Sequence, residues 1–83
     1  MEQNRVLRTA MKGYHKMQVM VLLDGLNALI FAAENGDMTR EEAIREAEAL
    51  TRKPIQKAMG GFRTDDADAY IAELLAKLKG ESN

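Results

Sequence analysis

No cysteine and no tryptophan occur in this chain of 83 residues, and proline and histidine occur once each, at Pro54 and His15. Without cysteine there are no disulfides, no thiolate metal ligands and no thiol nucleophile. Such a composition fits a reducing compartment. A lone histidine with no carboxylate one helical turn after it leaves no metal ligand set. As a general base His15 would need a nucleophile or an orienting carboxylate within reach, and none is near it in sequence. An excess of either charge is also missing: 12 basic side chains face 13 acidic ones. There is thus no basic field for nucleic acid and no polybasic anchor for anionic lipid. The longest apolar stretch, residues 17–33, is broken by Gln18, Asp24 and Asn27, so it is not expected to span a membrane. The first eight residues are too polar for a signal peptide. A cytoplasmic protein is expected, as one small domain over residues 1–83 with a thin core and no covalent staple.

What the chain does contain is a repeat. Residues 7–30 lie over residues 55–78 with a shift of 48 positions (61 − 13 = 48), which places Gly13-Tyr14 on Gly61-Phe62. The same shift places Leu7 on Ile55, Ala10 on Ala58, Met11 on Met59, Leu23 on Ile71 and Leu26 on Leu74. A period of this length marks a fold assembled from one repeated unit.

Helical periodicity runs through every long segment, and none alternates with period two over more than a few residues, so the expected fold class is all-α. A short helix is expected over 3–12, stopped by Gly13 in a left-handed conformation. A long helix follows over 15–34, with Val19, Leu22, Leu23, Leu26, Leu29 and Ile30 on one face. A second stripe, Met17, Met20, Val21, Ala28 and Phe31, widens its apolar surface enough to require cover on more than one side. Gly25 inside this helix costs about 1 kcal/mol relative to alanine, which points to the close approach of another helix. Asn35-Gly36 turns the chain, and Thr39 with Glu42 forms a capping box for a third helix. Pro54 is expected to end or kink that helix, and a short helix to restart over 54–59. Thr64 is expected to cap the last helix, with Asp65 and Asp66 in its first turn, and residues 81–83 to fray beyond Gly80. The result would be a small helical bundle: two units of short helix, Gly-aromatic corner and long helix, joined by a central helix.

The corner motif reads Ile55, Gly61-Phe62, Asp66-Ala67-Asp68, Tyr70-Ile71 and Leu74 in the second copy. The first copy reads Lys12-Gly13-Tyr14, Val19, Leu22-Leu23 and Leu26, with Gln18 and Met20 at the acidic positions. This pattern resembles the DivIVA domain of bacterial cell-division and polar-growth scaffolds. The resemblance implies a non-enzymatic scaffold that dimerises, binds membrane or protein partners through the corner loop, and in the family usually continues into a coiled coil. The family's membrane contact, an apolar residue followed by a basic one just before Gly-Tyr, falls on Met11-Lys12 and Met59-Gly60. If two such motifs from two chains normally pack together, two in one chain are expected to pack as a pseudo-dimer. The alternative is a small regulatory or adaptor helical protein with no role in division.

No catalytic constellation emerges, and no cofactor is expected. Residues 34–42 fail the spacing of a calcium loop. Asp65, Asp66 and Asp68 are accounted for by the start of a helix. Tyr14 and Phe62 read as corner anchors, whose rims carry Met11, Lys12, Met59 and Arg63. Met17 and Met20, with Met11 and Met59, are either core filler or an adaptable binding surface. These eight residues are the candidate contacts. The expected partners are proteins, a second copy first among them, with peripheral membrane contact a lesser expectation.

Overall fold

The computed structural model describes residues 6–80. Three helices and a two-stranded antiparallel sheet follow one another: β1 (Thr9–Tyr14), α1 (Lys16–Glu34), α2 (Arg40–Arg52), β2 (Lys57–Met59) and α3 (Thr64–Leu78). The fold is therefore mixed, 63% helical and 13% strand, and the all-α expectation is overturned. The helical bundle fails at two places. The short helix expected over 3–12 is instead strand β1 from Thr9 onward, while residues 3–5 lie outside the described residues, as does the tail 81–83. The short helix expected over 54–59 is β2.

The physical reason lies at the corners, which meet each other. Lys12, Gly13 and Tyr14 stand in register with Met59, Ala58 and Lys57, and isolated bridges join Phe62 to both Thr9 and Tyr14. Neither glycine could carry a side chain here. A Cβ on Gly13 would run into the Phe62 carbonyl oxygen and lie 2.7 Å from the Gly61 carbonyl carbon. A Cβ on Gly61 would run into the Tyr14 carbonyl oxygen and lie 2.8 Å from the Gly13 carbonyl carbon. Two backbones crossing this closely leave their N–H groups to be satisfied by each other, which selects extended pairing over helix.

The pairing exchanges under the 48-residue shift. The His15 amide donates to the Gln56 carbonyl and the Arg63 amide to the Arg8 carbonyl, both at 2.7 Å. The shift turns the first of these bonds into the second. It likewise turns the Thr9–Phe62 bridge into Tyr14–Lys57, and it returns the Tyr14–Phe62 bridge to itself. These are the relations of an approximate two-fold axis through the glycine contact, with α1 and α3 leaving it as equivalent helices.

The helix ends follow local chemistry. His15 is the N-cap of α1, its Nδ1 accepting from the Gln18 amide at 3.3 Å. Thr39 caps α2 through a complete capping box with Glu42. Thr64 is not a cap: α3 begins there, Arg63 holds the cap position, and no side chain closes the end. Gly36, with φ of +82°, makes the turn after α1.

The core is Val19, Leu22, Leu23, Leu26 and Ile30 of α1 against Ala43 and Ala47 of α2 and Ala67, Leu74 and Leu78 of α3. Gly25 lets α2 come close, since a Cβ there would sit 3.1 Å from Leu50 Cδ1. Arg40 donates to the Leu78 carbonyl and ties the start of α2 to the end of α3. The molecule measures 40 × 27 × 15 Å. Met17, Met20, Val21 and Phe31 stay exposed on α1, so the other elements cover it on one side only.

Candidate interaction surface

Each expected contact residue has a definite place. Met11 and Met59 sit at the tip of the paired strands, 78% and 84% exposed, and Lys12 beside them is exposed. The 48-residue shift carries Met11 onto Met59, so the pseudo-dimer presents two equivalent methionines at one end. Tyr14 and Phe62 are half-buried beneath the tip. Each ring carries a lysine ammonium over its face: Lys57 Nζ lies 5.8 Å from the Tyr14 centroid, and Lys16 Nζ lies 5.5 Å from that of Phe62. Such contacts contribute about 0.5–1 kcal/mol at exposed sites. Arg63 pairs with Asp65 at 2.9 Å. Met17 (65% exposed) and Met20 lie on the outer face of α1, so neither is core filler.

That outer face is more extensive than the eight residues suggest. Val21 and Phe31 are 62% and 65% exposed on the same side. Asp24, Asn27 and Ala28 complete it, all exposed. Met17, Asp24 and Phe31 recur every seven residues, with Met20 and Asn27 on one shoulder and Val21 and Ala28 on the other. By length and composition α1 is also apolar enough to cross a membrane, while its opposite face forms the core of the fold. Beside Met17 and Val21 the surface falls into a groove of about 370 Å³ floored by Leu22 and Leu50 and edged by Pro54 and Ile55.

Below the corners lie polar pairs that the repeat itself encodes. Arg8 grips Asp66 through Nε and an Nη at 2.9 Å each, and its backbone amide donates to the same carboxylate at 3.0 Å. The shift carries Arg8 onto Gln56 and Gln18 onto Asp66. There the Gln56 amide donates to Gln18 Oε1 at 2.9 Å, and Gln18 Nε2 donates to Gln56 Oε1 at 3.1 Å. One half thus holds an ion pair where the other holds an amide pair. Likewise the Tyr14 hydroxyl donates to Asp68 at 3.0 Å, while the equivalent positions, Phe62 and Met20, carry no polar group. The acidic-apolar-acidic signature of the second copy therefore serves the first copy's corner. Comparing the two copies for positions that change polarity together would have located these pairs.

The titrations follow from the pairs. The Arg8 side chain, then the Arg8 amide, hold the Asp66 carboxyl far below the usual carboxylate range. Burial and then the bond to Asp68 raise the Tyr14 hydroxyl. For Asp66 the folded state binds its proton more weakly than the unfolded one. Its contribution is therefore present above the unfolded value of about 3.9 and is lost as pH falls below it. Urea midpoints followed from pH 6 to pH 2 are expected to drop less steeply in Asp66→Asn than in the parent chain. Equal slopes would show that the Arg8 grip adds nothing to folding.

Among the described residues no group of three or more His, Cys, Asp or Glu side chains is placed to hold a metal ion. The arrangement defines a small paired-corner module with one open helix face. No protein-family model, curated protein or solved structure matches the chain.

Proposed function

We propose that this chain is a non-enzymatic interaction module of the scaffold kind, similar in plan to a DivIVA-type domain, that associates with further copies of itself. The observation that supports the reading best is the outer face of α1, where Met17, Val21 and Phe31 stay more than 60% exposed on a helix whose other face is core. A largely apolar face, interrupted only by Asp24 and Asn27, on so small a molecule is a surface for a protein or a membrane. The paired corners add a rigid frame that two chains would otherwise have to assemble. The Met11 and Met59 tip is a second, smaller contact, suited by its adaptable side chains to a partner protein.

Light scattering across concentration tests this reading. The mass is expected to rise from the 9.3 kDa of one chain toward twice that value, and Phe31→Asp to hold it at one chain. A parent chain that stays at one-chain mass at the highest soluble concentration would remove self-association. Sedimentation with anionic vesicles tests the tip: binding lost in Met11→Asp would assign it to membrane, and its absence in the parent chain would leave the tip to protein.

A further inference from the structure

The geometry points to one occupant for the outer face of α1: the same face of a second copy, packed antiparallel about a two-fold axis near residues 25 and 26. This rests on the self-association proposed above and adds to it the partner's orientation and register.

The reasoning starts from the polar residues on the face. Met17, Asp24 and Phe31, with Met20 and Asn27, occupy the two inner positions of a seven-residue repeat, the spacing by which one helix seats against another. Lys16 at the start of α1 and Glu34 at its end lie 18 residues apart, five turns at 3.6 residues per turn, and so share one flank. In a parallel pair Asp24, on the seam, would meet Asp24, while the flank that carries Lys16 and Glu34 would lie on opposite sides of the two helices, so that neither could meet the other. Two Asp24 carboxylates so placed oppose association.

Reversing one helix changes both relations. Lys16, whose ammonium lies over the Phe62 ring of its own chain, then has Glu34 of the second copy opposite its position on the helix at both ends. Asp24 faces Asn27, whose side-chain amide donates one hydrogen to the Leu23 carbonyl at 3.1 Å and has a second to offer the carboxylate. Met20 faces Phe31, a sulfur–aromatic contact. Antiparallel helix dipoles add to the preference. A polar pair at the centre of an otherwise apolar seam fixes register at some cost in stability. The face is thus complementary to itself in one direction and not in the other, as a closed two-fold interface requires. The association leaves the corners free at opposite ends of the dimer.

The test uses the whole chain. Lys16→Glu and Glu34→Lys each place like charges at both ends of the seam, and each is expected to weaken dimerisation about tenfold by sedimentation equilibrium at low salt. Combining them restores opposite charges and is expected to return the dissociation constant to within about twofold of the parent. Both changes suit the dipole of α1, a carboxylate at its start and an ammonium at its end, which offsets the loss of the Lys16 contact with the Phe62 ring, and circular dichroism checks that folding is preserved. Because the chain has no cysteine, Asn35→Cys can carry a single nitroxide label. The two labels are expected about 30 Å apart in the antiparallel dimer, against about 10 Å in a parallel one. A dimer indifferent to the charge changes, or one with a short label distance, overturns the seam and leaves self-association standing. A chain that never dimerises, or whose α1 face is taken up only by vesicles, overturns both.

Discussion

Gly13→Ala is expected to leave the protein unfolded. The added methyl would collide with the Phe62 carbonyl oxygen and with both atoms of the Gly61 carbonyl, and all three are backbone atoms with no rotamer to change. Relief requires the strands to separate. Separation breaks the bonds from Ala10 to Gly61, His15 to Gln56 and Arg63 to Arg8, which fasten the two halves of the fold together. The cost is about 4 kcal/mol or more, the range reached when a core site cannot relax. A domain of this length has about 4–12 kcal/mol in total. Gly61→Ala should behave alike, because the approximate two-fold makes its contact the mirror of the first. Gly36→Ala is the control. Its φ of +82° strains any other residue, yet open space surrounds it, so the loss is about 1–2 kcal/mol and folding survives. Urea unfolding followed by circular dichroism separates the three. A Gly13→Ala chain with a midpoint near the parent's would mean that the corners do not cross as described.

These two glycines also mark the boundary of what could be read from the sequence. The three helices were legible because their signals are local. The period of Val19, Leu22, Leu26 and Ile30, the Thr39–Glu42 box and the Asn35-Gly36 turn each act within a few residues. The strands were not, because nothing local favours them. Residues 9–14 and 57–59 are built largely from alanine, methionine and lysine, good helix formers, and offer one β-branched residue, Thr9. Their partner lies 48 positions away, and the pairing is held by backbone atoms that every residue carries. Gly13 reads as a left-handed helix stop, but no helix precedes it among the described residues, its φ is not positive and β1 runs through it, so it is a crossing instead. A glycine kept at the same place in both copies of a repeat is what a contact between the copies demands, since each must admit the backbone of the other. The candidate contacts divide in the same way. Met11, Met59, Met17 and Met20 are exposed, while Arg63 is held by a neighbour, and Val21 and Phe31 belong to the surface although the core pattern surrounds them.

The helix that carries both the core and the open face offers the sharpest division between folding and association. Leu26 is fully buried at the centre of α1, among the residues it shares with α2 and α3. Leu26→Ala removes that packing and leaves a cavity whose walls are anchored on three helices, at a cost of about 3–4 kcal/mol. Phe31, five residues on and a larger side chain, is 65% exposed, so its contacts within one chain are few. Phe31→Ala should change the stability of the isolated chain by about 0.5 kcal/mol or less, measured where the protein is dilute enough to be monomeric. The same substitution should weaken self-association by about tenfold or more, because a partly buried aromatic at the seam gives up its area only when a second copy covers it. The order of the two effects is the informative result. If Leu26→Ala lowers the thermal midpoint of dilute protein and Phe31→Ala does not, the inner face of α1 folds the chain and the outer face is left open to a partner. If Phe31→Ala is as damaging in dilute solution as Leu26→Ala, the outer face is covered within one chain, and the surface on which the proposed function rests is not available to a partner.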